Sequence, residues 1–457
     1  MKRREFIESV GLGVASGFIT AAVPGLVHGQ TNTGKSSGNV KPFPKIVHHG
    51  QALGKPAKTP EGTKNIVSYE LGEILQLDRT HCLLMASMDE QGGPDLCVGN
   101  DGFVFEKLSD IKAENAIPLN RVETNYKRKD GKGEGFLAKY PLTGGFIPLD
   151  ARLENGRPHP GAGTGILVSE CLAFSFDRSG PVNANADYNS WEGIVEIIQV
   201  KWTGEKLLIT DVQKARNWLG RRPTDDPLSQ FCPIGESLVA PFRFEDNHEH
   251  AVHFNFDGKA WTPTKIGPPF EVNVEEKEPS IQGQGNEYFI AERGEKNRVY
   301  VSNDGLNFKL FLELKGEHNG PFIINEGLDG NLYLACNGNE GWYRNPLLIY
   351  PKEGNDFGKG IILHDQDGVR SDKGDKLPFI DHARGSNVLL EGRWRHLICY
   401  RVCDLKERTL YGFQSDFVKK VHGGKGPIPK RATSGLYIAE LMYDKITTKP
   451  FFGDHST

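Results

Sequence analysis

The chain has 457 residues, longer than one ordinary domain, and its 54 glycines and 27 prolines make up about 18% of it, against a usual share of about 12%. Hydrophobic residues at 37% and aromatics at 10% exclude a disordered chain, and the glycines lack the three-residue period that collagen needs. A formal charge of −4 from 55 basic and 59 acidic residues leaves no electrostatic footprint for nucleic acid.

Met1-Lys2-Arg3-Arg4-Glu5-Phe6-Ile7 precedes a Gly/Ala-rich apolar run from Val10 to Val27. The pattern predicts a twin-arginine export signal over residues 1–29, and with it a periplasmic or extracellular protein. A membrane anchor is the alternative, but Gly11, Gly13, Gly17, Pro24 and Gly25 interrupt the run, and no stable anchor is expected once the signal is removed. Residues 30–64, rich in Gly, Lys, Thr, Asn and Pro, read as a flexible leader, with the His48-His49 pair exposed on it. Residues 65–457 read as a single domain.

Within that domain, strand patterns fall at 73–86, 166–176, 194–202, 238–244, 287–291, 331–335, 387–390, 396–402 and 436–442. Residues 211–219 give the one short helical pattern. Between strands, Asp101-Gly102-Phe103-Val104-Phe105, Asp257-Gly258-Lys259-Ala260-Trp261 and Asp304-Gly305-Leu306-Asn307-Phe308 repeat Asp-Gly-x-x-aromatic, and Asn355-Asp356-Phe357-Gly358 is a looser copy. Asp-Gly supplies the positive φ of a tight hairpin, and the aromatic starts the return strand. The spacing gives a unit of about fifty residues, that of a four-stranded propeller blade. The predicted fold is therefore an all-β propeller with antiparallel blades, six in number or alternatively seven, with the strand near 436–444 closing the ring against the first. Two β-sandwiches are the competing arrangement.

Other clusters are less specific. The seven cysteines form no CxxC pair and read mostly as buried small hydrophobes, with one or two disulfides open. Asn247-His248-Glu249-His250-Ala251-Val252-His253 lacks the second histidine of a zincin motif and reads as a polar hairpin on an outer blade edge, so no metal is assigned. Tyr188, Trp191 and Trp342 sit among Asn, Asp, Glu and Arg in loops, a combination suited to stacking on sugar rings.

Glu278-Pro279-Ser280-Ile281, the run 286–293 and the run 299–308 together resemble the sialidase-like propeller family with bacterial neuraminidase (Asp-box) repeats. Leu328 to Leu334 and Arg344-Asn345-Pro346-Leu347 are similar to the same family's strand and following turn. The resemblance implies an arginine cluster that grips a carboxylate, with Arg293 and Arg344 at the second and third arginine positions and Glu278 at that of the base glutamate. Two positions depart from the family. Tyr69-Glu70-Leu71-Gly72-Glu73 replaces the Arg-Ile-Pro of the first blade, and Ile380-Asp381-His382-Ala383-Arg384-Gly385 contains no tyrosine.

A planar guanidinium pairs bidentately with a carboxylate, and a neighbouring acid or imidazole moves a proton. The candidate catalytic residues are therefore Glu278, Asp381 and His382, with Asp95 a further carboxylate. The candidate substrate contacts are Arg293, Arg344, Arg384, Trp342, Tyr188 and Trp191. The expected function is a sialidase-like glycosidase with non-standard catalytic groups, acting on an acidic glycan as a monomer without a cofactor. The alternatives are a lyase on uronate glycans with His382 as base, and a non-catalytic glycan- or protein-binding propeller.

Overall fold

The computed structural model describes residues 43–53, 69–88, 99–121, 123–127, 134–175, 194–225, 227, 229–270, 278–293, 297–314, 321–337, 344–365, 379–403 and 435–447. They form a six-bladed β-propeller of four-stranded antiparallel blades, some with a short extra strand. β1 (Lys45–Leu53) belongs to the last blade. Blade 1 is β2 (Tyr69–Gln76), β3 (Cys82–Met88), β4 (Gly99–Phe105) and β5 (Ile117–Arg121). Blade 2 is β6 (Glu123–Lys127), β7 (Glu134–Ile147), β8 (Thr164–Ser175), β9 (Ile194–Trp202) and β10 (Leu207–Ala215). Blade 3 is β11 (Pro223–Asp225), β12 (Cys232–Ile234), β13 (Ser237–Phe244), β14 (Glu249–Phe256) and β15 (Trp261–Ile266). Blade 4 is β16 (Ser280–Gln284), β17 (Glu287–Glu292), β18 (Asn297–Ser302) and β19 (Lys309–Leu314). Blade 5 is β20 (Ile323–Glu326), β21 (Leu332–Asn337), β22 (Leu347–Glu353), β23 (Asp356–Phe357) and β24 (Ile361–His364). Blade 6 is β25 (Phe379–Leu390), β26 (Arg393–Cys403), β27 (Gly435–Met442) and, outermost, β1.

The ring closes where β1 pairs antiparallel with β27, from Lys45 opposite Met442 to Leu53 opposite Leu436. The closing strand thus comes from within the stretch read as a leader, because its apolar Ile46, Val47, Ala52 and Leu53 have an edge to cover.

A hydrophobic cluster fills each seam between blades. Blade 6 meets blade 1 through Leu390, Leu397, Ile74 and Leu84, and blade 5 meets blade 6 through Ala335, Leu347, Ile380 and Ile398. Side chains on both faces of a blade are therefore buried, which is why the middle strands read as continuous apolar runs.

Around the axis, side chains of the inner strands bond to the backbone of the next blade. Ser229 Oγ accepts from Ile281 N (2.9 Å), Ser280 Oγ donates to Phe322 O (2.9 Å), and Asn325 Oδ1 accepts from Gly385 N (2.6 Å). Such bonds satisfy backbone groups at the crowded centre and fix the register of neighbouring blades.

The turn motif holds where it joins the third and fourth strands. Asp257 Oδ1 accepts from the N–H groups of Lys259 and Ala260 (2.8 and 2.9 Å) and Gly258 has φ +96°. Asp304 Oδ1 accepts from Leu306 and Asn307 (2.9 and 2.8 Å) and Gly305 has φ +67°. Near 356 the positive φ lies at Gly354 (φ +63°), and Asp356 is already in β23. Asp101-Gly102 is no turn. It lies inside β4, where the Tyr69 hydroxyl donates to Asp101 and a Cβ on Gly102 would come within 3.0 Å of Leu83 and Leu119.

Three more expectations are corrected. Residues 73–86 contain two strands joined at Asp78, whose Oδ1 accepts from Thr80 N and His81 N (2.8 Å each). The helical pattern at 211–219 falls largely on strand β10, where β-branched Ile209, Thr210 and Val212 favour extended backbone. His250 and His253 lie on the buried strand β14, not on an outer edge; His250 Nδ1 is 2.9 Å from Gly267 O and His253 Nε2 is 3.1 Å from Gly305 O. Cys82, Cys171, Cys232, Cys336 and Cys399 are buried free thiols.

Candidate functional site

Antiparallel order sends the connections between second and third strands, and those from blade to blade, to one face of the disc. Glu278 precedes β16, Arg293 follows β17, Arg344 precedes β22, and Asp381 and His382 open β25, so all five lie on that face. The other face carries the Asp-Gly turns.

Asp381 is the hub. It is buried, and both of its oxygens are occupied: Oδ1 accepts from Arg401 Nε (2.7 Å) and from His382 Nδ1 (2.8 Å), and Oδ2 accepts from Arg401 Nη2 (3.0 Å) and Arg344 Nη1 (2.5 Å). Burial alone would raise this carboxyl; Arg401, then His382 and Arg344, outweigh it and hold it well below the ordinary carboxylate range.

A bulge aims the histidine. β25 and β26 pair Asp381 with Arg401 and then Arg384 with Cys399, so His382 and Ala383 together oppose a single residue. His382 takes φ +54°, the left-handed region that few non-glycine residues enter. Burial, opposed by the Asp381 charge, lowers its pKa from the ordinary value. The ring is therefore neutral near pH 7, with Nδ1–H donated to Asp381 and the lone pair on Nε2.

Blade 4 supplies the second half. Arg293 Nη2 lies 3.1 Å from Glu278 Oε2, and the Glu278 charge acts on His382. On blade 5, Arg344 is fixed by its own carbonyl, which accepts from Ile380 N (2.7 Å), while Asn337 Nδ2 donates to Ile380 O (2.8 Å) and Pro346 O (3.0 Å). Glu278, Arg293, Arg344 and Asp381, with the neutral His382 between them, thus form one polar cluster across three blades.

Arg384 does not join the other arginines. It lies one step deeper on β25, buried, with Nη1 donating to Leu142 O of blade 2 (3.1 Å). Its charge acts on Glu73, whose carboxylate accepts from Thr143 Oγ1 (2.8 Å) and from the N–H groups of Gln230 and Gly144. Burial nevertheless pushes the Glu73 carboxyl up to about 7. Arg384 and Glu73 therefore brace the axis beneath the cluster.

Arg401 was not singled out from the sequence. Its signal is a lone charge in the apolar run Leu397-Ile398-Cys399-Tyr400-Arg401-Val402, because a cation on a central strand needs a buried partner. Tyr188, Trp191, Trp342 and Asp95 lie outside the described residues. Among those described, no group of three or more His, Cys, Asp or Glu side chains is arranged to hold a metal ion.

No family model matches the chain, and no curated protein matches it in sequence. A point mutant of NanB sialidase from Streptococcus pneumoniae superposes with TM-score 0.50 at 10% identity, over 88% of this chain and 71% of that one. The architecture is similar to that of the sialidase propellers. Trypanosoma rangeli sialidase in complex with sialic acid aligns with TM-score 0.45 at 11% identity over 87% of this chain, which spans 59% of that protein's length. At such identities the likeness speaks for the fold alone.

Proposed function

We propose that the protein is an exported carbohydrate-active enzyme that takes a carboxylate-bearing glycan on the Glu278–His382 face and cleaves it by proton abstraction. The observation that carries this reading is the His382–Asp381 pair. An imidazole kept neutral, with Nδ1–H donated to a carboxylate whose pKa is held low, is the arrangement of a general base. Asp381 itself has no lone pair left for a sugar carbon or a water, so its role here is to orient His382 and to stabilise the imidazolium that forms. Arg293 and Arg344, at the open side of the cluster, are suited to a uronate carboxylate.

In the reaction, Nε2 of His382 removes the proton next to the carboxylate. The electron pair left by that bond forms the new carbon–carbon double bond, and the glycosidic oxygen departs from the adjacent carbon, taking a proton from solvent water. Charge gathers on the carboxylate in the transition state, where the arginines act most strongly. Hydrolysis is the second reading, favoured by the sialidase-like fold and by Glu278, a carboxylate within electrostatic reach of His382.

The test is incubation of the purified protein with a panel of uronate- and sialate-containing glycans, following reducing ends together with the ultraviolet absorbance of unsaturated uronate. Both signals support elimination, and reducing ends alone support hydrolysis. Binding without either signal would sink both enzymatic readings in favour of a glycan-binding propeller.

A further inference from the structure

Two guanidinium groups hold Asp381, and they are placed differently. Arg401 lies on β26 between β25 and β27, directly opposite Asp381 on one side and Leu436 on the other. Its side chain is 2% exposed and takes both carboxylate oxygens, Nε on Oδ1 (2.7 Å) and Nη2 on Oδ2 (3.0 Å). Arg344 precedes β22 on blade 5, is 19% exposed, and meets Oδ2 through Nη1 (2.5 Å).

The two geometries suit two tasks. A fork on both oxygens fixes the plane of a carboxylate as well as its distance. With that plane fixed, Oδ1 faces His382 Nδ1 (2.8 Å). A contact through one nitrogen fixes distance alone, and a side chain open to solvent is able to exchange one carboxylate for another. Asp381 is buried, so it tolerates the departure of one cation only if a second remains in place.

We propose, resting on His382 as the base, that Arg401 is the positioning residue of this site: it keeps the Asp381 carboxylate aimed at His382 while Arg344 turns from Asp381 to the carboxylate of an acidic sugar. The charged groups around the pair are Arg401 from β26, Arg344 from blade 5 and Glu278 from blade 4, with Arg293 beside Glu278, and Arg384 and Glu73 one step deeper. Among them Arg401 lowers the His382 pKa, against Asp381 and Glu278, which raise it.

Full-length variants are compared by steady-state kinetics on a uronate-containing glycan and by NMR titration of the imidazoles, the His382 signal being assigned by its loss in His382→Gln. Arg401→Lys keeps the cation and loses the fork, so kcat should fall about 10- to 10²-fold with KM within about twofold of the parent. Arg344→Lys should give the opposite split, a raised KM with kcat nearly held. Arg401→Gln removes the cation and should move the His382 pKa upward, carrying the acid limb of the kcat/KM profile with it. A residue that only braced blade 6 would lower Tm, and activity at every pH, without moving that pKa. Parental kcat in Arg401→Lys, or an unmoved His382 pKa in a folded Arg401→Gln, overturns the proposal; Arg401→Lys decides alone if Arg401→Gln does not fold. The titration needs no turnover, so failure of His382 as the base, seen as parental turnover in His382→Gln, stays distinguishable from failure of Arg401 to act on it.

Discussion

Asp381 and Glu73 are both buried carboxylates near the propeller axis, each with an arginine of blade 6 in its surroundings, yet they are driven in opposite directions. Asp381 has two guanidinium groups and an imidazole in direct contact and is held well below the ordinary value, whereas Glu73 accepts mostly from neutral donors and is pushed up to about 7. The difference teaches that burial sets the direction unless a cation is close enough to hydrogen-bond. It also separates a carboxylate fixed as an anion, fit to orient a base, from one that exchanges its proton near neutrality.

The largest effect expected from breaking this contrast is at Asp381. Asp381→Asn leaves Arg344 and Arg401 facing a neutral amide, and loss of one member of a buried ion pair costs about 3–5 kcal/mol. Denaturant unfolding should show that loss, together with loss of turnover; a variant as stable as the parent would remove the hub from the site. His382→Gln comes next, with turnover lowered about 10²- to 10⁴-fold while Tm and glycan affinity stay near those of the parent. Unchanged turnover in that variant would exclude His382 as the base.

At Glu73 the sign is opposite to the usual acidic residue. The folded value is raised from 4.5 to about 7, so the stability it contributes is complete below about pH 4.5 and is lost as pH rises through 7. The expected loss is of order 3 kcal/mol at most, at about 1.4 kcal/mol per unit. Chemical denaturation at pH 5 and pH 8.5 should show this decline, and Glu73→Gln should flatten it; an unaltered slope in the variant assigns the pH dependence elsewhere. For Asp381 the lowered value means stability present above about pH 4 and lost only in stronger acid. The smallest effect is expected from Arg293→Lys, which keeps a cation beside Glu278 at this buried position but loses the planar fork: stability falls by less than in Asp381→Asn, while the KM for a carboxylated glycan rises. An equal rise for the same glycan with its carboxylates reduced would argue against a carboxylate contact.

How far these features can be read from the sequence follows from how local their causes are. The Asp257-Gly258 and Asp304-Gly305 hairpins are legible because a positive φ and an aspartate cap are decided within four residues. The same dipeptide at Asp101-Gly102 is misread, because what matters there is packing against Leu83 and Leu119 from neighbouring strands. Glu278, Arg293 and Arg344 are picked out by the resemblance to the sialidase-like propellers, and Asp381 and His382 by lying where that family's tyrosine is expected; the blade order then explains their meeting. Arg384 and Arg401 could not be sorted in advance: the bulge at His382 decides which arginine of blade 6 meets Asp381 and which meets the axis, and a bulge is a property of two strands together.

The pairing of β1 with β27 also bears on how the molecule forms and how long it lasts. Blade 6 joins Lys45 to Met442, so its final edge cannot zip until nearly the whole chain is available, and blades 1 to 5 must wait as an open arc. Closure of such a distant contact is slow, and the arc exposes a strand edge to neighbours meanwhile. Once shut, the same contact becomes a clasp: opening the disc means peeling β1 first, so the lifetime of the folded state is expected to depend on that strand more than on any one blade.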